Sequence, residues 1–307
     1  MHKETAGQLM RWATRASVGV ASSLVVAKAA VWWMSGSVAL LGSLTDSALD
    51  LAASLVTMFA VKTALTPPDE DHRFGHGKAE ALAGLFQASV MSGSAVFLIL
   101  ESFHHIWTPL PVAHSSLVMA VSVAGIVLSL GLVLFQAYVI RHTKSLAVRG
   151  DHLHYQGDML LNLSVIAAAM MSEYGILAAD GVFGVLIGLY ILKSAYDIVR
   201  PAIDMLMDRE FSLKDREKIF NIVMGNPDVL GLHELKTRSS GRDKFIQMHI
   251  EVPAEMTVKA AHLVADEVEA TVGEAFPDSE ILIHIDPPDE LAVDRTLEEL
   301  PPLKEEI

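Results

Sequence analysis

Asp46 and Asp50 stand one helical turn apart inside an apolar stretch, Ser43-Leu-Thr-Asp46-Ser-Ala-Leu-Asp50-Leu, and His154 and Asp158 repeat that spacing at the head of another. A separation of four residues puts each pair on one face of an α-helix. Two such helices packed together would present three carboxylates and one imidazole to a single point, the donor set of a tetrahedral divalent-metal site. Ionisable groups inside a bilayer cost roughly 2.5 to 3.5 kcal/mol each on insertion scales, so they persist where they line an ion path or pair with a partner. A hydrogen-bonded carboxylate cluster without metal is the competing reading of the same pattern.

Two further clusters carry ligand chemistry. The run Pro68-Asp69-Glu-Asp-His72-Arg-Phe-Gly-His76-Gly-Lys78-Ala-Glu80 holds Asp69, His72 and His76, which could grip a metal at a helix entrance. A solvated charged loop fits that spacing equally well. Late in the chain His233, His249, His262, His284 and Asp286 fall in or beside expected strands and a helix, and adjacent strands can bring such residues together, with Asp286 placed to bridge two cations. The histidines at 2, 104, 105, 114 and 142 read as solvated; His152, which with Gly150-Asp151 makes the entrance ahead of His154 polar, reads as a plain interfacial residue, with assistance to metal entry as the alternative. The chain has no cysteine, which excludes disulfides and thiolate zinc sites. No His-Glu-x-x-His segment supplies the general base that an intramembrane metalloenzyme would need.

The elements that must position these residues are long apolar helices. Half of the 307 residues are hydrophobic (51%), and stretches long enough to span a bilayer run over 16–34, 38–61, 79–100, 117–140, 154–171 and 176–193. The connections at 35–37, 102–116 and 172–175 lack Lys and Arg. The alternate ones carry Arg73 and Lys78, then Arg141, Lys144 and Arg149, with Arg11 and Arg15 before the first helix and Arg200 and Arg209 after the last. This bias predicts both termini in the cytoplasm. The N-terminus reads as a short leader into the first span, without a removable signal. Trp32, Trp33 and Trp107 suit the outer interface. Small residues crowd the second helix (Ser43, Ser47, Ala48, Ala52, Ala53, Ser54), as close packing around a site requires.

Charge divides the chain. Residues 1–200 hold 13 acids and 12 bases, and residues 201–307 hold 24 acids and 11 bases, so nearly all of the net charge of -14 lies late. An acidic second part argues against nucleic acid, whose phosphates need a basic footprint. The expected organisation is a six-helix transmembrane domain over 1–208, a cytoplasmic metal-binding α/β domain over 209–290 and an acidic disordered tail over 291–307. Within the second domain the pattern predicts a helix at 213–224, strands at 230–237, 244–251 and 280–285, and a helix at 258–272.

Taken in order, Ser43-Leu-Thr-Asp46-Ser-x-x-Asp50, His72-Arg-Phe-Gly-His76-Gly-Lys78-Ala-Glu80, His154-Tyr-x-x-Asp158, Val229-Leu-Gly-Leu-His233 and His284-x-Asp286 resemble the cation diffusion facilitator family, in its bacterial YiiP-type branch of ferrous-iron and zinc efflux pumps. The resemblance covers nearly the whole chain. It implies a homodimer in the bacterial inner membrane, each subunit having six transmembrane helices and a cytoplasmic metallochaperone-like (ferredoxin-like) α/β domain. It further implies efflux of zinc, also cadmium, with iron or manganese open, by alternating access in exchange for protons, and no enzymatic activity. Asp46, Asp50, His154 and Asp158 match the family's transport site, and Asp69, His72 and His76 its loop site. His233, His249, His262, His284 and Asp286 match its binuclear cytoplasmic site, where Zn2+ is structural or regulatory, with His262 near the dimer interface. Lys78 and Asp208 match a salt bridge that locks the dimer at the membrane surface. Beyond a second copy and membrane lipid, no nucleic acid and no obligate protein partner is implied. A metal sensor without transport and an intramembrane metalloenzyme are the alternatives.

Overall fold

A computed structural model describes residues 3–35, 38–108, 116–174, 176 and 178–288. The expected tail at 291–307, His2 and His114 lie outside the described residues. The chain divides into two compact units, Met1–Ile203 and Asp204–Ile307.

The first unit is built from long helices: α1 (Lys3–Ser35), α2 (Val38–Ala64), α3 (Ala79–Trp107), α4 (Ser116–Thr143), α5 (Leu146–Glu173) and α6 (Ala179–Leu206). Among the described residues, five stretches are long and apolar enough to cross a membrane, one each in α1, α2, α3, α4 and α6. The sixth helix, α5, carries Arg149, Asp151, Asp158 and Asn162, and the polar content that sets it apart is the content that does chemistry. Four helices run well past their apolar stretches: α1 begins at 3 rather than 16, α3 ends at 107 rather than 100, α5 begins at 146 rather than 154, and α6 continues to 206 rather than 193. Apolarity marks where hydrocarbon ends, whereas the backbone ladder runs on into the polar zone.

The start of α5 has an identifiable cause. Ser145 caps it, its Oγ accepting from the Val148 N–H at 3.3 Å and donating to Glu80. Glu80, buried in the first turn of α3, also accepts from the Ala147 N–H at 3.4 Å. Glycines set the approach of α6 to α3. A Cβ at Gly181 would lie 2.7 Å from the Ser102 carbonyl oxygen, and one at Gly188 would lie 2.4 Å from Ile99 Cγ1. Backbones this close are the use that small residues serve in membrane helix pairs.

The second unit is a small α/β domain: α7 (Leu213–Val223), β1 (Gly231–Ser240), β2 (Asp243–Glu251), α8 (Val258–Ala275) and β3 (Ser279–Asp286). Its sheet has the order β1-β2-β3, with β1 and β2 antiparallel and β2 and β3 parallel. Ile246, Met248 and Ile250 alternate into a core shared with Leu232 of β1, Ile219 and Val223 of α7, and Val264, Val268 and Val272 of α8. Period-two burial on one face therefore leaves Gln247, His249 and Glu251 on the other. A bulge between His233 and Lys236, with Glu234 at φ 49°, shifts the phase of β1 so that Leu232 and Thr237 both face inward. Asp208, at φ 54°, pairs with Arg238 of β1 at 3.5 Å.

Candidate metal centres

Inside the helical unit, α2 and α5 bring Asp50, His154 and Asp158 together, each offering a ligand atom within 4.8 Å of the others. His154 Nε2 lies 2.9 Å from Asp50 Oδ1 and 3.4 Å from Asp158 Oδ2. One ring nitrogen is thus shared by two carboxylates, and the point it addresses can be taken by a proton on that nitrogen or by a cation. His154 is buried, and the carboxylates are partly so. Asp46, one turn earlier on the same face of α2, lies outside this three-residue group. That end of the face receives Lys28 of α1, whose Nζ donates to Ser47 Oγ at 2.7 Å and to the Ser43 carbonyl at 3.2 Å.

Two expectations near this cluster are corrected. Asp151 does not line a polar entrance: it is 1% exposed, held among four helices. His105 is not simply solvated. Its ring joins Asp180 of α6 at 3.1 Å and Glu101 of its own helix at 3.6 Å, because α3 and α6 approach closely at that end.

The loop cluster forms around an Asx-type turn. Asp69 Oδ1 accepts from the backbone N–H of His72 at 2.7 Å and of Asp71 at 3.1 Å, and Asp69 Oδ2 lies 3.3 Å from His76 Nε2. The His72 and His76 rings are 4.7 Å apart. Gly75, at φ 74°, supplies the left-handed residue that turns the chain back toward α3. The His72 N–H bond, supported by the two imidazoles, holds the Asp69 carboxyl below the usual carboxylate range.

In the α/β unit, strand register does the assembling. His233 pairs with His249 across β1 and β2, and His249 pairs with His284 across β2 and β3, so three imidazoles form one row on the face opposite the helices. Asp286 closes the row: Oδ2 lies 2.8 Å from His249 Nδ1 and 3.5 Å from His233 Nε2, and Oδ1 lies 3.1 Å from His284 Nε2. Both carboxylate oxygens face imidazole nitrogens, a donor set that fits zinc ions bridged by one carboxylate. His262 is not in this group. It projects from the exposed side of α8, paired with Asp266 at 3.7 Å, with the sheet between it and the histidine row. Two acids escaped the sequence reading: Glu251, 3.7 Å from His233, and Glu234, 4.0 Å from His249. Glu251 could have been found from its place two residues after His249 on one strand face. Gly231 stands opposite it, where a Cβ would meet Glu251 Oε2 at 2.7 Å. The hydrogen bond and charge of Lys236, then the neighbouring histidines, hold the Glu234 carboxyl low.

A bundle of membrane-length helices with a buried acid–imidazole cluster, followed by a small α/β unit with a histidine row, defines a polytopic membrane protein equipped for metal cations. The family profile described as the cation efflux transmembrane domain matches residues 14–207, and that of the cation efflux protein cytoplasmic domain matches residues 212–288. The cation-efflux pump FieF of Yersinia pestis (strain Pestoides F) is 44% identical over 283 residues, covering 91% of this chain and 94% of the relative. FieF of Yersinia pseudotuberculosis serotype O:3 (strain YPIII) matches to the same extent. Among solved structures, the metal-bound C-terminal domain of the CzcD transporter from Thermotoga maritima is 30% identical with a TM-score of 0.25, covering 26% of this chain and 94% of that one. The chain belongs to the cation diffusion facilitator family of cation efflux transporters.

Proposed function

We propose that this transporter exports a divalent metal, zinc with cadmium also accepted, in exchange for protons. Asp50, His154 and Asp158 form the transport site, with Asp46 joining as metal enters. The observation that carries this reading is the sharing of His154 Nε2 between Asp50 and Asp158 at 2.9 and 3.4 Å. Zinc binds imidazole only in its neutral form and carboxylate only when ionised, so loading releases protons and protons returning to the same atoms expel the metal. The Nε2 of His154 can hold either the metal or a proton, which makes it the group best suited to carry the returning proton. Oxygen-rich sites also admit iron(II) and manganese, since donor type alone does not fix the ion.

The protein works as a homodimer with both termini cytoplasmic. Zinc held by His233, His249, His284 and Asp286 stabilises the arrangement that transports, with His262 serving from a second copy, and Lys78 and Asp208 lock the dimer at the membrane surface. Asp69, His72 and His76 gather metal at the cytoplasmic side. Differential binding to one arrangement is sufficient for such control.

The test is zinc flux into sealed proteoliposomes with and without an opposing pH gradient. Wild-type flux should rise with the gradient, and Asp50→Ala should lose at least about tenfold, the scale of a lost metal ligand. Equal flux in Asp50→Ala, or indifference to the gradient, would overturn the reading. A sensor or a metalloenzyme would give no flux at all.

A further inference from the structure

Asp151 is a fully buried carboxylate outside the metal cluster, and three other helices converge on it. Ser17 Oγ of α1 donates to its Oδ2 at 2.5 Å, Gln136 Nε2 of α4 donates to the same oxygen at 2.7 Å, and Ser54 Oγ of α2 donates to Oδ1 at 3.3 Å. The donors are themselves tied together. Gln136 Nε2 also donates to Ser17 Oγ at 3.0 Å, Ser54 Oγ meets the Tyr155 hydroxyl at 3.1 Å, and that hydroxyl donates to the Ser17 carbonyl at 3.1 Å.

Spacing connects this network to the metal cluster. Asp151, His154, Tyr155 and Asp158 follow one another at i, i+3, i+4 and i+7, a single stripe of α5, while Asp50 and Ser54 stand at i and i+4 on α2. The two helices that supply the ligands are therefore cross-linked one turn away, through Ser54 to Asp151 and Tyr155. Burying a carboxylate is costly unless its oxygens are satisfied, and here satisfaction requires α1, α2, α4 and α5 to hold one mutual rotation. A slip of α5 by a fraction of a turn would leave the charge without donors.

We infer that Asp151 is a positioning residue for transport: its carboxylate fixes the rotation and spacing of α5 against α2, so that His154 and Asp158 face Asp50. This rests on the reading of Asp50, His154 and Asp158 as the transport site. The role is geometric, so it predicts that an amide, which keeps an acceptor and the same shape, serves nearly as well as the acid. It also predicts that loosening the node relaxes discrimination between ions of different radius.

The experiment titrates Zn2+ and Cd2+ into the purified full-length protein in nanodiscs, alongside flux in proteoliposomes, for wild type, Asp151→Leu, Asp151→Asn, Ser54→Ala and Asp50→Ala. Asp151→Leu should weaken zinc binding at the membrane site about 10- to 100-fold, as outer-shell losses do, and narrow the difference between zinc and cadmium. Ser54→Ala should weaken it severalfold, and Asp151→Asn should stay within about threefold of wild type. Wild-type helix content by circular dichroism and a single symmetric gel-filtration peak mark each variant as folded, and if Asp151→Leu does not fold, Ser54→Ala and Asp151→Asn decide. The inference is overturned if Asp151→Asn is as defective as Asp151→Leu, since the charge would then act in itself. It is equally overturned if Ser54→Ala and Asp151→Leu bind both ions as wild type does while Asp50→Ala does not. Wild-type behaviour of Asp50→Ala would instead bring down the transport-site reading beneath it.

Discussion

Among the described residues, Asp286 is the one acid in contact with all three imidazoles of the histidine row, through both of its oxygens. Replacing it with Ala removes the carboxylate shared by the three rings, so the zinc retained by the full-length protein after gel filtration should fall, as metal analysis would show, while flux through the membrane site is lowered but not abolished. Asp69 behaves differently with acid. Its folded pKa is depressed, so the order it gives the loop is present above the ordinary carboxylate value near 3.9 and is lost only as pH falls through the lower folded value. At pH 5, above both values, the turn should therefore survive, seen as retained hydrogen-exchange protection in the peptide carrying the His72 amide. Residues of this kind were legible because their spacing is local: Asp69, His72 and His76 lie within one turn of chain, and His154 and Asp158 within one turn of helix. Asp151 was not. Its partners come from Ser17, Ser54 and Gln136 on other helices, whereas Glu251 shares a strand face with His249 at a period of two, and its approach to His233 follows from the strand pairing.

Among the elements, α6 depends on Gly181, where a methyl group would press on backbone atoms of α3 at Ser102 and Ile106, which no rotamer change can relieve. Gly181→Ala should destabilise the helical unit by about 1 to 3 kcal/mol, measured as a lowered melting temperature in detergent. By contrast, Gly125→Ala on α4, where a Cβ meets nothing within 4 Å, should be silent or slightly stabilising in the same assay. The number and order of the helices could be read from apolar runs, and the strands of the α/β unit from alternation to within a few residues. Helix ends could not, because α1, α5 and α6 continue through residues such as Arg11, Arg149 and Arg200 that an apolarity criterion excludes. Nor could the bulge in β1, which carries no Gly or Pro to announce it and yet sets His233 opposite His249.

For the molecule as a whole, each unit carries its own acid–imidazole cluster, and in the proposed function one passes the transported ion while the other responds to supply. Ligand that binds only the folded state stabilises it by about 2.7 kcal/mol at a concentration of 100 Kd. Zinc should therefore raise the melting temperature of the full-length dimer, and Asp286→Ala should remove most of that increment. The role proposed for His262 belongs to this scale, because its exposure on α8 leaves it open to a second copy and not to its own sheet. The ligands throughout are nitrogen and oxygen, in a chain without a single sulfhydryl. Reagents that disarm thiolate zinc proteins, such as N-ethylmaleimide or diamide, have nothing to attack here. Thiol-directed oxidants should leave the rate of the pump unchanged, at the moment when zinc released from damaged thiolate sites most needs a way out of the cell.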